Sequence, residues 1–415
     1  MVKLEVRNFG PIANIILDIR KATVFIGPQG SGKSTIAKLV AAFSWLEKSL
    51  IRGSLEESAC DANHFVRQVL AYIQLDHLVT QETELSWHGD YHFHYHDGIF
   101  SIEKAEDEPK PLAKILYIPA ERSFISAISD IFSTRNLPSV LYELASDYAT
   151  AINSTSDKEY TIPVNGFTMK YDKESRIVWI GEGKKGYEVP LPRAASGLQS
   201  LLPLTLVHDH YQNALDYRNN SGRMPFSVDQ VEKIRKAMSS YRLSHVSDSD
   251  SQYKNILLAA GFSHFPEDAE ARATSDRQLG QIVDRRLSAI IEEPEQNLFP
   301  LAQKEVVAHL FAGLSRHPGN RLLMTTHSPY ILTSINNLIY AEKLKAKADK
   351  VAQVVPQKCW IDGNEVSAWY FSDGSCRSIM DDALDLIRAE EIDTCSALIN
   401  DEFDRLTDIE YGKDE

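Results

Sequence analysis

Cysteine is scarce in this chain. Four occur in 415 residues, Cys60, Cys359, Cys376 and Cys395, and none stands in a C-x-x-C pair. That pattern gives no disulfide framework and leaves free thiols in a reducing compartment as the expected state. Long apolar runs are also missing. No stretch of about 18 apolar residues occurs, so no membrane span is expected. The first residues include Lys3, Glu5 and Arg7 rather than the apolar segment of a signal peptide, so a cytoplasmic location is expected. Positive charge is in deficit, with 44 Lys and Arg against 58 Asp and Glu and a net charge of −14. This argues against a broad basic surface for nucleic acid. The clusters Lys233-Ile234-Arg235-Lys236 and Lys343, Lys345, Lys347 read as solvated faces. A narrow basic groove formed only in an oligomer stays open, so DNA is a possible partner without an evident site. Internal repeats and low-complexity tracts are absent.

What is present is an ordinary globular composition, 43% hydrophobic and 25% charged, long enough for two or three domains. Within it lies Gly27-Pro28-Gln29-Gly30-Ser31-Gly32-Lys33-Ser34-Thr35, a full G-x-x-x-x-G-K-[ST] phosphate loop. The apolar run Ala22 to Ile26 before it reads as a buried strand. Ile36, Leu39, Val40 and Phe43 after it recur at helical spacing. Backbone N–H groups and a helix N-terminus then face a phosphate. Lys33 is expected on the β- and γ-phosphates, and Ser34 on Mg2+. The chain is therefore expected to bind a nucleoside triphosphate.

Three further segments carry chemistry. Leu287 to Ile291 is an apolar strand that ends in Glu292-Glu293. A buried strand delivers such carboxylates to the phosphate edge of a parallel sheet. Glu292 is placed to hold Mg2+ through water, and Glu293 to orient or deprotonate an attacking water. Met324-Thr325-Thr326-His327-Ser328-Pro329 ends the next strand, where His327 can meet a γ-phosphate or that water. Ser196-Gly197 opens an apolar helix and offers a second anion site through its N–H groups and dipole.

Together these segments resemble the ABC-type ATPases of the SMC, RecF and OLD group. Within that group they resemble the stand-alone ATPases of bacterial anti-phage systems, the Septu ATPase among them. Gly27 to Thr35 match Walker A. Ser196-Gly197 with Gln199 match the signature motif. Ile290 to Glu293 match Walker B with the catalytic Glu, Gln296 to Leu298 the D-loop, and His327 the switch histidine. Asn8-Phe9-Gly10-Pro11-Ile12 looks like the group's first hairpin, and Pro119-Ala120-Glu121-Arg122 stands where its Q-loop falls. The match runs over residues 1 to 126 and 187 to 340. Two departures stand out. The Walker B acid is Glu292 where the group has Asp, and the long spacing from Ser196 to Glu292 implies a helical insertion at about 208–284.

The resemblance implies an α/β fold. It is a P-loop NTPase of ABC-ATPase type with a mixed central sheet, a helical lobe with an insertion, and a small C-terminal α+β extension. Its parts are expected at 1–126 (Walker A half), 127–286 (signature lobe), 287–340 (Walker B and switch half) and 341–415 (extension). It implies ATP and Mg2+ as ligands, and ATP held between two subunits. Two separate anion sites agree with that, since each makes sense if both meet one γ-phosphate across an interface. A head-to-tail homodimer, or a higher oligomer built on it, is the expected unit.

Fewer than about 100 residues follow His327, too few for the Toprim nuclease domain that OLD-type proteins carry. Asp381-Asp382 reads as the acidic start of a helix over Ala383, Leu384, Leu386 and Ile387. An effector is therefore expected to be a separate protein, a nuclease above all. His92, His94 and His96 share one strand face and suggest a metal, but a polar face with Tyr91, Phe93 and Tyr95 packed behind it is favoured. The alternatives are an SMC- or RecF-type ATPase that grips DNA itself, a transporter subunit, and a scaffold that holds ATP without turnover.

Overall fold

The structure is a computed structural model. It describes residues 2–52, 54–107, 110–128, 137–155, 158–164, 166–182, 186–221, 284–389, 401 and 404–407. Strands β1 (Val2–Phe9) and β2 (Ile12–Ile19) form a hairpin, and β3 (Ala22–Ile26) leads into helix α1 (Lys33–Ile51). Then come β4 (Glu84–His88), β5 (Tyr91–His96), β6 (Ile99–Lys104) and β7 (Ala113–Ile118). Helices α2 (Ser123–Ala127) and α3 (Ser139–Ser154) precede a meander of β8 (Tyr160–Thr161), β9 (Phe167–Asp172), β10 (Ile177–Glu182) and β11 (Tyr187–Pro190). The remainder is α4 (Ser196–Ser221), β12 (Arg286–Glu292), α5 (Pro300–Leu314), β13 (Arg321–Thr326), α6 (Pro329–Lys343), β14 (Val366–Ser372), β15 (Ser375–Ser378), β16 (Met380–Asp381) and β17 (Leu386–Ile387).

The central sheet has the order β15-β14-β3-β13-β12-β7. Its five strands from β14 to β7 are parallel, and β15 is an antiparallel edge, so the sheet is mixed. All five residues of β3 are buried, as a parallel strand covered on both faces requires. Its side chains divide by period two. Ala22, Val24 and Ile26 enter one core with α3 to α6, while Phe25 enters the other with α1. That second core is closed by a five-stranded antiparallel sheet, β2-β1-β4-β5-β6. Phe43 of α1 stacks there on Phe65, Trp87 and Phe93, with ring centroids 5.5, 5.5 and 5.8 Å away.

The C-terminal residues are not set apart from the sheet. The extension expected from 341 sends β14 into it, parallel to β3, with Val366 opposite Ala22 and Tyr370 opposite Ile26. Local pattern cannot announce such a pairing, because its hydrogen bonds span some 340 residues of chain. The helix expected at Asp381-Asp382 is instead a hairpin. Asp381 Oδ1 accepts from Ala383 N and Leu384 N at 2.9 and 3.0 Å and closes the turn between β16 and β17. Helix α4 runs through Ser221. Most of the expected insertion, the cluster Lys233 to Lys236 and Cys395 lie outside the described residues. Cys60, Cys359 and Cys376 are free. Among the described residues no helix is long and apolar enough to cross a membrane.

Truncating the ring at the centre of the second core should unhinge α1. Phe43→Ala is expected to cost about 3–5 kcal/mol of stability, read as a shift of the urea midpoint. A shift below about 1 kcal/mol would show that the aromatic stack does not anchor this helix.

Candidate functional site

The register of the parallel strands lines up their carboxyl ends. Ile26 pairs with Thr326, Glu292 with Thr325, and Ile291 with Ile118. The residues that follow, Gly27, His327, Glu293 and Pro119, therefore share one edge of the sheet, the side where open α/β sheets bind ligands.

Gly27 to Gly32 form a tight loop over this edge. Gly27 has φ +149°, and a Cβ there would stand 2.2 Å from Phe371 O of β14. Gly32 caps α1 with φ +95°, and a Cβ there would stand 2.4 Å from the Ile12 side chain. Only glycine fits either place. Lys33 is buried. Its ammonium donates to Gly27 O at 2.8 Å, Pro28 O at 2.7 Å and Ser31 Oγ at 3.4 Å. Burial pulls its pKa down, and Glu293 and Glu295 oppose that. Gln29, Gly30 and Ser34 face solvent, and Thr35 is half-buried. The first turn of α1 holds no acidic residue, so its positive end is free for an anion.

Glu292 is buried at the end of β12. Its carboxylate accepts from Tyr117 OH and from Ala120 N, the latter at 3.2 Å. Burial first, and then this carboxylate, push the Tyr117 phenol well above its ordinary pKa. Glu293 follows with φ 42°, a left-handed conformation that costs a non-glycine residue about 1–3 kcal/mol. Its carboxylate lies 3.4 Å from His327 Nε2. The pair is half-exposed, and Glu293 lies near enough to Lys33 to act on its charge.

Two residues of this edge carry no role in the sequence reading. Glu295 Oε1 accepts from Thr326 Oγ1 and His327 N, both at 2.7 Å, and so fixes the turn that presents His327. Arg122 is 1% exposed and spends its guanidinium on four carbonyls. Nε donates to Ser200 O at 3.0 Å, Nη1 to Pro119 O at 3.3 Å and Glu292 O at 2.7 Å, and Nη2 to Glu293 O at 2.7 Å. With Glu293 N donating to Thr325 O at 2.9 Å, the strained residue is held on both sides. Burial lowers the Arg122 pKa to about 10, so it stays charged at neutral pH. Position gave a signal for Arg122, since it closes the segment read as the Q-loop. Its burial gave none.

The third sequence site is only partly joined to the others. Ser196 starts α4, is exposed, and has no acidic neighbour in the first turn. Gly197 packs on the turn after Glu295, where a Cβ would stand 2.8 Å from Asn297 O. Ser200 Oγ donates to Gln296 Oε1 at 2.8 Å. Gln199 instead turns its amide back to Pro192 O and Ala194 O, at 3.1 and 2.9 Å, and braces its own loop. Pro203 within α4 leaves Gln199 O without its helical donor, and Ser126 Oγ supplies one at 2.7 Å. Among the described residues no hydrogen bond links Ser196, Gly197 or Gln199 to residues 27–35.

Mg2+ with a nucleoside triphosphate fits this donor set. The loop N–H groups, the Lys33 ammonium and the open helix end suit phosphate oxygens, and the exposed Ser34 hydroxyl suits the metal. Glu292 stands behind it, its carboxylate already held by two donors.

Loop and sheet order define an α/β P-loop NTPase fold with a mixed, largely parallel sheet. Residues 1–87 match the family model of the AAA ATPase domain. Among solved structures the chain is similar to the SMC head domain from Thermotoga maritima, with 9% identity over 91% of this chain and 97% of that one, at a TM-score of 0.36. It is similar to a nucleotide-free ATP-binding cassette from an ABC transporter, at 9% identity over 91% and 90%, TM-score 0.27. RecF, a recombination mediator protein, aligns at 10% identity over 91% and 97%, TM-score 0.26. With TM-scores this low, the architecture rests on the sheet order and not on these likenesses. No curated protein matches the chain.

Replacing Arg122 tests the clamp. Arg122→Met takes the guanidinium away from four carbonyls, of which Pro119 O and Glu293 O keep a backbone donor, and should cost roughly 3 kcal/mol, measured by denaturant unfolding. Arg122→Lys should recover less than half, because an ammonium lacks the planar fork. Full stability in either variant would remove Arg122 from this role.

Proposed function

We propose that the protein hydrolyses ATP at a site completed by a second copy of itself, and uses that cycle to control a separate effector protein, a nuclease above all. One observation carries the hydrolysis. Glu293 is held in a strained conformation by Arg122 and Thr325, with its carboxylate 3.4 Å from His327, on the edge that carries the Lys33 loop. A carboxylate so placed can take the proton of an attacking water, and the imidazole can orient that water or donate to the γ-phosphate. Lys33 would leave the Gly27 and Pro28 carbonyls for phosphate oxygens. Bound Mg2+ supplies charge neutralisation on the phosphates, held from Ser34 and, through water, from Glu292. The N-terminal AAA ATPase match supports ATP as the nucleotide.

The dimer rests on the other end of α4. Ser196 is exposed at a helix start free of acidic side chains and has no bond to its own phosphate loop. An anion site left open in this way suits the γ-phosphate of a partner copy. Anti-phage defence as the setting, and the separate effector, rest on the family resemblance of the motifs.

Two measurements check this reading. Glu293→Gln should keep ATP binding in calorimetry, slow hydrolysis by at least about 100-fold, and accumulate as an ATP-bound dimer by light scattering. Normal turnover in that variant would move the general base elsewhere. Gly197→Asp brings a charge to the helix start and should be inactive alone, as should Lys33→Ala, which should also lose ATP binding. Where the two sites of a dimer fire independently, mixing the two variants restores part of the activity. A Gly197→Asp protein that hydrolyses ATP normally by itself would refute the shared site.

A further inference from the structure

The histidines that suggested a metal in the sequence do not form a site. On β5, His92, His94 and His96 line an exposed sheet face. His94 bonds Ser86 Oγ at 2.9 Å, and the His94 and His96 rings lie 6.2 Å apart. Among the described residues the one group of three or more ligands close enough to share an ion is elsewhere. It comprises His208 and Asp209 of α4 and His309 of α5, whose ligand atoms all lie within 4.8 Å of one another.

The local geometry is that of ligands meeting at a point. Asp209 Oδ1 lies 3.4 Å from His208 Nδ1 and 2.8 Å from His309 Nε2. His309 Nε2 is buried, and no well-aligned hydrogen bond uses it. Asp209 Oδ1 is thus shared between two imidazole nitrogens, an arrangement that an ion can replace. Metal–N distances of about 2.0–2.1 Å and metal–O distances of about 2.0–2.2 Å put tetrahedral ligand atoms about 3.4 Å apart. Opening the short pair to that spacing takes a shift of about 0.6 Å, within rotamer adjustment.

The surroundings support the same reading. Asp209 Oδ2 accepts from Tyr160 OH at 2.8 Å, which turns Oδ1 toward the two imidazoles. The other nitrogen of His208 faces the Gln212 amide at 3.4 Å. Gln212 accepts from Asn320 Nδ2 at 3.3 Å, and Asn320 Oδ1 holds Leu287 N at 2.8 Å. Such outer partners set the orientation of metal-bound imidazoles. Gly313 makes room, since a Cβ there would stand 2.3 Å from His208 Cε1.

We propose that His208, Asp209 and His309 bind one divalent transition-metal ion of the Zn2+ class, with water in the fourth position. Two imidazoles and one carboxylate favour Zn2+ over Mg2+. The ion pins α4, whose first turn carries Ser196, to α5, which follows the Glu292-Glu293 turn. It is distinct from the Mg2+ of the nucleotide site.

The test uses untagged full-length protein, stripped with chelator, desalted, and titrated with Zn2+ in the absence of nucleotide. Calorimetry should give one tight ion per chain. His309→Gln should weaken it by at least about 100-fold. Replacing His92, His94 and His96 together by Gln should leave it unchanged. Co2+ in the wild-type protein should give the visible absorption of a tetrahedral ion, bleached by Zn2+. That reading stands even if His309→Gln fails to fold. Wild-type protein with no stoichiometric Zn2+ and no Co2+ spectrum overturns the proposal. Tight binding that survives in folded His309→Gln, or is lost in the strand variant, overturns it equally.

Discussion

A parallel sheet brings the carboxyl ends of its strands to one edge, and this chain hangs its candidate chemistry on that constraint. Between β14 and β7 all neighbours are parallel, so each strand must be returned by a crossover of its own. The crossover from β3 begins with the glycine loop and α1. The one from β12 begins with Glu293 and ends through α5. Lys33, Glu293 and His327 are far apart in the chain, yet they follow neighbouring strands. Had any one of those strands run antiparallel, its functional residue would stand at the opposite edge.

Holding that edge in shape takes polar interactions that a core of apolar contacts cannot supply. Loops at strand ends leave carbonyls pointing inward, away from water. Arg122 satisfies four of them from three segments, the exits of β7 and β12 and the first turn of α4. A charged group with no carboxylate directly on it is a costly thing to bury. The energy is returned as many short hydrogen bonds, with Glu292, Glu293 and Glu295 near enough to oppose the loss of its charge. The same guanidinium touches both the strand with the carboxylates and the helix that begins at Ser196. A movement of α4 would therefore be felt at the Glu293 carbonyl.

Much of this was legible in the chain itself. The phosphate loop, α1 and the strands at 22–26, 287–291 and 321–325 each lie within a few residues of where period and turn chemistry put them, because these signals are local. Tyr91, Phe93 and Tyr95 of β5 are buried as expected, because side chains alternate between the two faces of a strand. An expectation failed where one local rule competed with another. Asp381 favours a helix start by its charge, yet the same carboxylate closes a tight turn once β16 and β17 pair. Gln199 matches the signature pattern, and here its amide bonds Pro192 O and Ala194 O. Arg122 and Glu295 carry no motif by themselves, since a lone arginine or a third glutamate is read as surface until its burial is known.

Residue identity by itself determined which groups are present and how each short segment bends. A glycine admits a positive φ, a proline withholds a donor, and a period of two or of 3.6 assigns a face. These are properties of a few neighbouring residues, and they hold before the chain folds. Tertiary structure alone decided what those groups do to one another. It placed β14 beside β3, set the Glu293 carboxylate against His327, buried Arg122 among four carbonyls, and drew His208, Asp209 and His309 together from two helices. Each of these depends on distances between residues tens to hundreds of positions apart, and such distances are set only when the sheet order and the packing of the helices on it are complete.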